Sequence, residues 1–367
     1  MQVLACAGTR PELVKMRPVV EALARLEVSC AVATTGQHQE IADVSWIPVE
    51  DHIVLDRSEH SSDLASKVSQ MIFEVSKAIE ETRPKLILVQ GDTASTLAGA
   101  TASYLCGVPL AHIEAGLRTY SNNDPWPEEG IRRQVSALAT YHFAPSEVSV
   151  ANLLAEKIPQ SAIFLTGNTS IDNVREYIRQ SGVRVGDSGS EGLIPPTRVP
   201  VTIHRREGAG KDRIKALREV FRLSRDSQGL SFEIFLHPNP EFVRDLYDSK
   251  ILETPNLSFR TPVDHYSFLS ILRESAFVIS DSGGIQEESP YLGTPVFIAR
   301  ETTERPEIVD QGVAKLVGRD LRLLQHAISD LDEMKKSIVL ASSPYGSGDA
   351  GVKIAHHVRH FLRETEE

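Results

Sequence analysis

The chain twice alternates short apolar, β-branched runs with longer segments of helical period, and this alternation constrains its fold more than any other feature. Runs at Gln2–Ala7, Ser29–Thr34, Lys85–Gln90, Val108–Ile113, Tyr141–Ala144 and Ala162–Thr166 read as strands. Helical patterns separate them at Pro11–Leu26, Ser61–Thr82, Thr93–Cys106, Glu128–Thr140 and Glu147–Lys157. In the first of these helices Leu13, Met16, Val20 and Leu23 share one face. Strand, helix, strand in this order is the signature of βαβ units around a mostly parallel sheet.

The pattern breaks at Ser181–Pro200, which is rich in Gly, Ser and Pro and has no period, as a linker or long loop would be. A second series follows, with strands at Val199–Ile203, Phe232–Leu236, Leu257–Arg260, Ala276–Ser280, Pro295–Ala299 and Ala314–Val317, a helix at Lys211–Asp226 and a helical tail at Ala350–Arg363. The 367 residues exceed what one hydrophobic core usually holds. The expectation is an α/β protein of two Rossmann-like, doubly wound domains facing a central cleft. Ligands of such sheets sit beyond the carboxyl ends of the strands, so the strand-to-helix loops carry the functional information.

Charge narrows the partners. Lys and Arg number 39 against 50 Asp and Glu, a formal net charge of −11. That argues against a nucleic-acid or anionic-membrane binder, although a few placed cations can still hold one phosphate. Three cysteines, Cys6, Cys30 and Cys106, are too few and too scattered for a disulfide framework or a zinc knuckle. The N-terminus lacks the pattern of a signal peptide, and no apolar run is long enough to span a membrane. A soluble, cytoplasmic protein is expected.

Four loops could meet an anion. After the first strand, Ala7–Glu12 combines Gly8 for a tight turn, Pro11 for a helix start, and the cations Arg10 and Lys15. After AFVIS, the run Ser280–Glu288 offers Ser282, Gly283 and Gly284 as a nest of backbone N–H groups, with Glu288 placed for ribose hydroxyls. His204, Arg205 and Arg206 follow another strand, and Arg305 follows PVFIA in TTERPE. Each has a plainer alternative: a solvated turn, a glycine turn before an acidic helix start, or local pairing of Arg305 with Glu304 or Glu307.

Three carboxylates lie in similar places. Asp92 follows LILVQ, Glu114 follows PLAHI, and Glu128 opens a helix in PWPEEGIRRQ with Arg132 four residues later on the same face. Asp92 could cap the following helix and Glu128 could serve a helix N-terminus. Three acids at one rim are costly unless they do acid–base work or meet cations. The chain has no GxGxxG fingerprint, no Walker lysine loop and no metal-ligand spacing. A nucleotide sugar fits best.

The motifs AGTRPELVKM, QGDTASTLAGATASYLCGVPLAHIEAGLRT, PWPEEGIRRQ, FLTGNTSIDNV, HRRE, SDSGGIQEESPYLGTPVFIARETTERPE and SSPYGSGDAG occur in this order over nearly the whole chain. Together they resemble the non-hydrolysing UDP-N-acetylglucosamine 2-epimerases. The resemblance implies a GT-B-type fold with an N-terminal domain over 1–168, a UDP-binding domain over 169–348 and a final helix, about 349–367, packed back on the first domain. It also implies a homodimer. By motif, Arg10 and Lys15 would lie near the diphosphate, and His204, Ser282, Gly283, Gly284, Glu288 and Arg305 would bind UDP, with Phe268 near the uracil. Asp92, Glu114, Glu128, Arg132 and His204 would form the catalytic group. Gln37 and His38 match a second, activating UDP-N-acetylglucosamine site.

The implied reaction is anti elimination of UDP across C1–C2 to a glycal, followed by re-addition with a proton on the other face of C2. It needs a base, an acid and a cationic cradle, but no metal or redox cofactor. Three features depart from the family pattern. The segment EIADVSWIPVEDHIVLD is short, Ile203 stands where a small residue is usual, and Ser181–Pro200 is long. The rival readings are a hydrolysing epimerase releasing N-acetylmannosamine, a GT-B glycosyltransferase, a nucleotide-sugar sensor, and an epimerase for a modified sugar such as a diacetamido-uronic acid.

Overall fold

The structure, a computed structural model, describes residues 1–35, 44–56, 63–182, 197–203, 211–227, 229–236, 256–340 and 342–364. The chain divides into two compact units, residues 1–173 with 344–367, and residues 174–343.

The first unit is built on a seven-stranded parallel sheet in the order β3-β2-β1-β4-β5-β6-β7. The strands are β1 (Val3–Ala7), β2 (Cys30–Thr34), β3 (His52–Val54), β4 (Leu86–Gln90), β5 (Leu110–Ile113), β6 (Tyr141–Ala144) and β7 (Ile163–Leu165). β3 is short and half-exposed, and its apolar pattern is too brief to be legible in the sequence. Helices α1 (Arg10–Arg25), α2 (Leu64–Thr82), α3 (Ala94–Leu105), α4 (Glu128–Leu138) and α5 (Glu147–Ala155) connect the strands. A sixth, α6 (Thr169–Ser181), leads out of the unit.

The strands read as continuous apolar runs because helices cover both faces of the sheet. Alternate residues of β1 enter two different cores: Val3, Ala5 and Ala7 meet α1, whereas Leu4 and Cys6 share the opposite core with residues of α2, α3 and α4. Leu86 and Leu88 of β4 join the first core, and Ile87 and Val89 the second. The strand period of two thus builds a three-layer unit from one sequence pattern.

The last helix of the chain, Ala350–Glu364, belongs to this unit and adds Ile354, Ala355, Val358, Phe361 and Leu362 to the core against α1. Each of these except Ala355 contributes about 1.5–3 kcal/mol when fully buried. The two helices cross so closely that a Cβ on Gly351 would lie 2.7 Å from the Pro18 carbonyl oxygen. The carboxylate of Asp172 accepts from the N–H groups of Ala350 (3.1 Å) and Gly351 (2.8 Å), satisfying donors that a helix start leaves open. Two of the family-like motifs meet nearby: Gly167, in FLTGN, lies under the Tyr345 carbonyl of SSPYG, where a Cβ would come within 2.8 Å.

The second unit has a six-stranded parallel sheet in the order β10-β9-β8-β11-β12-β13. Its strands are β8 (Arg198–Thr202), β9 (Ser231–Phe235), β10 (Leu257–Arg260), β11 (Val278–Ser280), β12 (Val296–Ile298) and β13 (Ala314–Leu316). Helix α7 (Lys211–Asp226) packs Ala216, Leu217, Val220 and Leu223 on the strand residues Val199, Val201, Phe232 and Ile234. Two further helices matter for the site, α8 (His265–Arg273) and α9 (Gly283–Tyr291). Both sheets are doubly wound α/β layers. Most of the linker stretch, residues 183–196, lies outside the described residues. Among the described residues no helix is long and apolar enough to cross a membrane.

Candidate functional site

In each sheet the winding direction reverses at one place, between β1 and β4 in the first unit and between β8 and β11 in the second. The connections on either side leave toward opposite faces, which opens a crevice at the carboxyl edge where ligands of such sheets bind. Most of the residues singled out in the sequence lie on these loops or on the strand ends beside them.

In the first unit the loop after β1 is very tight. A Cβ on Gly8 would lie 1.9 Å from Ser95 Oγ and 2.2 Å from Thr35 Oγ1. Those hydroxyls are themselves 2.6 Å apart. Thr9 caps α1 in a capping box with Glu12, so Arg10 is the first helical residue and is partly exposed at the rim. Lys15, one turn beyond, is buried, and its Nζ lies 2.6 Å from Glu114 Oε1.

Glu114 directly follows β5 in the left-handed region, φ 67°. A non-glycine residue held there costs on the order of 1–3 kcal/mol, so the surroundings must enforce it. Neighbouring side chains do so. Besides Lys15, Gln90 Nε2 donates to Oε2 at 2.5 Å and Asn168 Nδ2 donates to Oε1 at 3.2 Å.

Asp92 stands at the neighbouring strand end, with its side chain 27% exposed, and accepts from Arg132 Nη1 at 2.5 Å. Arg132 is itself buried on α4 and also donates to Glu129, from Nη2 at 3.0 Å and from Nε at 3.2 Å. Glu129 accepts in addition from the backbone N–H groups of Thr119 (3.0 Å) and Tyr120 (3.1 Å). Glu128 is the first residue of α4 and is partly buried. The backbone before Asp92 is held by His112, whose Nε2 lies 2.7 Å from the Gly91 carbonyl oxygen. Burial pushes the His112 pKa down to about 3, so the ring is neutral near pH 7. Nε2 then carries the proton, because a carbonyl only accepts.

The structure adds partners to the sequence reading. Lys15 meets Glu114, and Arg132, which shares a helix face with Glu128, pairs with Asp92 and Glu129. Asp92 does not cap the next helix; Thr93 does, accepting from Ser95 and Thr96. The Lys15–Glu114 and Arg132–Asp92 contacts join different strands and helices, which one-dimensional spacing cannot reveal, whereas Glu129 stands three residues before Arg132 on the same helix.

In the second unit Ser282 is the N-cap of α9 but makes no side-chain cap bond, and its own N–H donates to Ser280 Oγ at 3.0 Å. The first N–H groups of α9, beginning at Gly283 and Gly284, therefore start at the carboxyl edge without a side-chain cap. Gly283 makes room for a guanidinium, since a Cβ there would lie 2.8 Å from Arg305 Nη1. Arg305 is buried, pairs with Glu287 at 2.5 Å and also contacts Glu304. Of the two partners foreseen for it, Glu304 is observed, and Glu287 is one that the sequence did not suggest. Glu288, one turn into α9, holds His265 Nε2 at 2.9 Å from its Oε1. Phe268 on α8 is half-buried and edge-on to Phe235 at 5.1 Å. His204, Gln37 and His38 lie outside the described residues.

Sequence reasoning missed Gln90, Asn168, Glu12, Glu129 and His265 as parts of these networks. Glu12 had a readable signal, the T-x-x-E spacing of a capping box at Thr9–Glu12. Glu129 had one too, its i,i+3 spacing to Arg132, whereas Gln90, Asn168 and His265 have partners more than twenty positions away. Among the described residues no group of three or more His, Cys, Asp or Glu could hold a metal ion.

Residues 21–359 match the family model described as UDP-N-acetylglucosamine 2-epimerase. The chain is 36% identical to a probable UDP-N-acetylglucosamine 2-epimerase of Ralstonia nicotianae, over 98% of this chain and 99% of that protein. It superposes on the UDP-GlcNAc 2-epimerase of Neisseria meningitidis, solved bound to UDP-GlcNAc, with a TM-score of 0.86 and 33% identity, over 98% of this chain and 100% of that one. The Methanocaldococcus jannaschii enzyme, solved in complex with UDP-GlcNAc and UDP, gives 0.84 at 27% identity, over 98% and 100% of the two chains. The fold class is accordingly the GT-B type, with two Rossmann-like units.

Proposed function

The chain belongs to the UDP-N-acetylglucosamine 2-epimerase family, and from that premise we propose that it interconverts UDP-N-acetylglucosamine and UDP-N-acetylmannosamine without hydrolysis. The C2 hydrogen of the sugar is not adjacent to a carbonyl, so removing it alone would leave an unstabilised carbanion. Elimination avoids this. A carboxylate takes the C2 proton, its electrons form the C1–C2 double bond, and the C1–O bond breaks toward the β-phosphate of UDP. In the return step UDP oxygen adds to C1 while a proton is delivered to the opposite face of C2.

Inversion at C2 needs proton-transfer groups that can serve both faces. The observation that carries the reading is that Asp92 and Glu114 follow adjacent parallel strands, β4 and β5, each against a buried cation. A glycosyltransferase typically needs one base. In the second unit the N-terminus of α9 is suited to a phosphate, and Glu288 one turn further suits ribose hydroxyls. Arg10, at the rim of the first unit, supplies a cation for the departing diphosphate.

The test is incubation with UDP-N-acetylglucosamine in D2O, followed by proton NMR. The expected result is deuterium at C2 and a mixture of the two UDP-sugars. Free sugar with UDP would instead mark a hydrolase, and an unchanged spectrum would overturn both.

A further inference from the structure

Glu12 is a buried carboxyl with five donor groups around it and, among the described residues, no ion-pair contact. Its Oε2 lies 2.8 Å from the Gly8 nitrogen, 2.7 Å from the Thr9 nitrogen and 2.9 Å from Thr9 Oγ1. Its Oε1 lies 2.5 Å from Thr93 Oγ1 and 3.0 Å from Thr96 Oγ1. One oxygen thus holds the loop after β1, and the other holds the start of α3, just after β4. These loops flank the point where the sheet reverses its winding. The first carries Arg10 and leads to Lys15; the second carries Asp92, the residue before Thr93. Thr96 Oγ1 also lies 2.8 Å from the Gln90 carbonyl, and Gln90 binds Glu114.

A capping box needs only the local bonds to Thr9. The bonds to Thr93 and Thr96, 81 and 84 positions away, are not needed to start either helix. We propose that Glu12 is a positioning residue that bolts the β1 and β4 loops together and so fixes Asp92 and Lys15 relative to each other. Its link to catalysis rests on the epimerase reading above, whereas the bolt itself does not.

Glutamine should serve in its place. Its carbonyl can accept from the Gly8 and Thr9 nitrogens while its amide donates to Thr93 and Thr96, whose hydroxyls rotate to accept. Alanine removes both sides of the bolt, and Thr93→Val breaks it from the other loop. In hydrogen–deuterium exchange, Glu12→Ala is expected to speed exchange in residues 91–97 as well as 8–12, with α5 unchanged. Thr93→Val should speed exchange in 8–12, and Glu12→Gln should stay near wild type. An effect confined to the altered residue's own loop, or a glutamine variant as loose as alanine, would overturn the proposal. In turnover, the loosened variants should lose about 10²-fold in kcat with KM nearly unchanged, and glutamine should recover most of it. Wild-type kcat in Glu12→Ala would refute the positioning role. Failure of the wild-type protein to exchange C2 hydrogen would instead sink the epimerase reading, because the exchange pattern tests the bolt without substrate.

Discussion

Lys15 and Glu114, 99 positions apart in sequence, form a buried ion pair with 2.6 Å between Nζ and Oε1. The contact joins the first turns of α1 to the end of β5 past the end of β4, whose Gln90 donates to the same carboxylate. A buried pair of this kind adds little net stability over an apolar isostere, but leaving either partner alone is costly.

Lys15→Met should therefore destabilise the fold by about 3–5 kcal/mol, because Glu114 loses its cation. Adding Glu114→Gln to that variant should restore much of the loss without restoring C2 exchange. Urea denaturation of both single variants and the double variant measures the coupling. Additive effects would show that the pair does not interact.

Asp92 and Arg132 should separate stability from chemistry. Asp92→Asn alters a partly exposed acid and should leave the unfolding midpoint nearly unchanged while slowing C2 exchange by about 10²-fold or more. Arg132→Met strands the buried Glu129 and should lower both. An Asp92→Asn protein with wild-type exchange would remove Asp92 from the mechanism.

Gly8→Ala should cost about 1–3 kcal/mol, since its methyl must displace Ser95 and Thr35. Ser95→Ala in the same chain should recover part of that. Thermal unfolding of the single and double variants decides whether the contact is as tight as the distances indicate.

His112 should contribute an acid-sensitive part of the stability. Its pKa is near 3 when folded and near the ordinary 6.5 when unfolded, so the unfolded chain takes up the proton first. The stability this neutral ring supports is fully present above about 6.5 and is lost as pH falls from there toward 3. His112→Asn, which removes the titrating group, should flatten the pH dependence of the urea midpoint over that window. An unchanged slope would assign the acid sensitivity elsewhere.

Glu288→Gln should weaken UDP binding by roughly tenfold while leaving Asp92-dependent proton exchange of bound substrate comparatively intact. Calorimetric titration with UDP reads this directly. Equal affinity would place the ribose contact on another residue.

Much of the fold was legible because strand burial writes itself into sequence. VLACA and LILVQ could be read as strands since both faces of the sheet are covered, and α1 could be read from Leu13, Met16, Val20 and Leu23. β3 was missed because three half-exposed residues carry no period. The candidate residues could be placed on strand-to-helix loops from the sequence, since the strand pattern marks where each strand ends. Their pairings across strands could not be read. Helical spacing puts Glu128 and Glu129 near Arg132, but it could not show Asp92, which reaches the same guanidinium from another strand end. The overlooked Thr9–Glu12 spacing marks a helix cap, but no spacing could mark Thr93 and Thr96 on the far side of the same carboxyl.

The sequence by itself determined the alternation of elements, the two parallel sheets and the family, because periodicity and long motifs are properties of the chain alone. Only the tertiary structure decided which cation meets which carboxylate. Lys15 and Glu114, Arg132 and Asp92, and Arg305 and Glu287 are brought within about 3 Å by the parallel order of strands and the packing of helices. Buried charges take the partner that this packing leaves within reach.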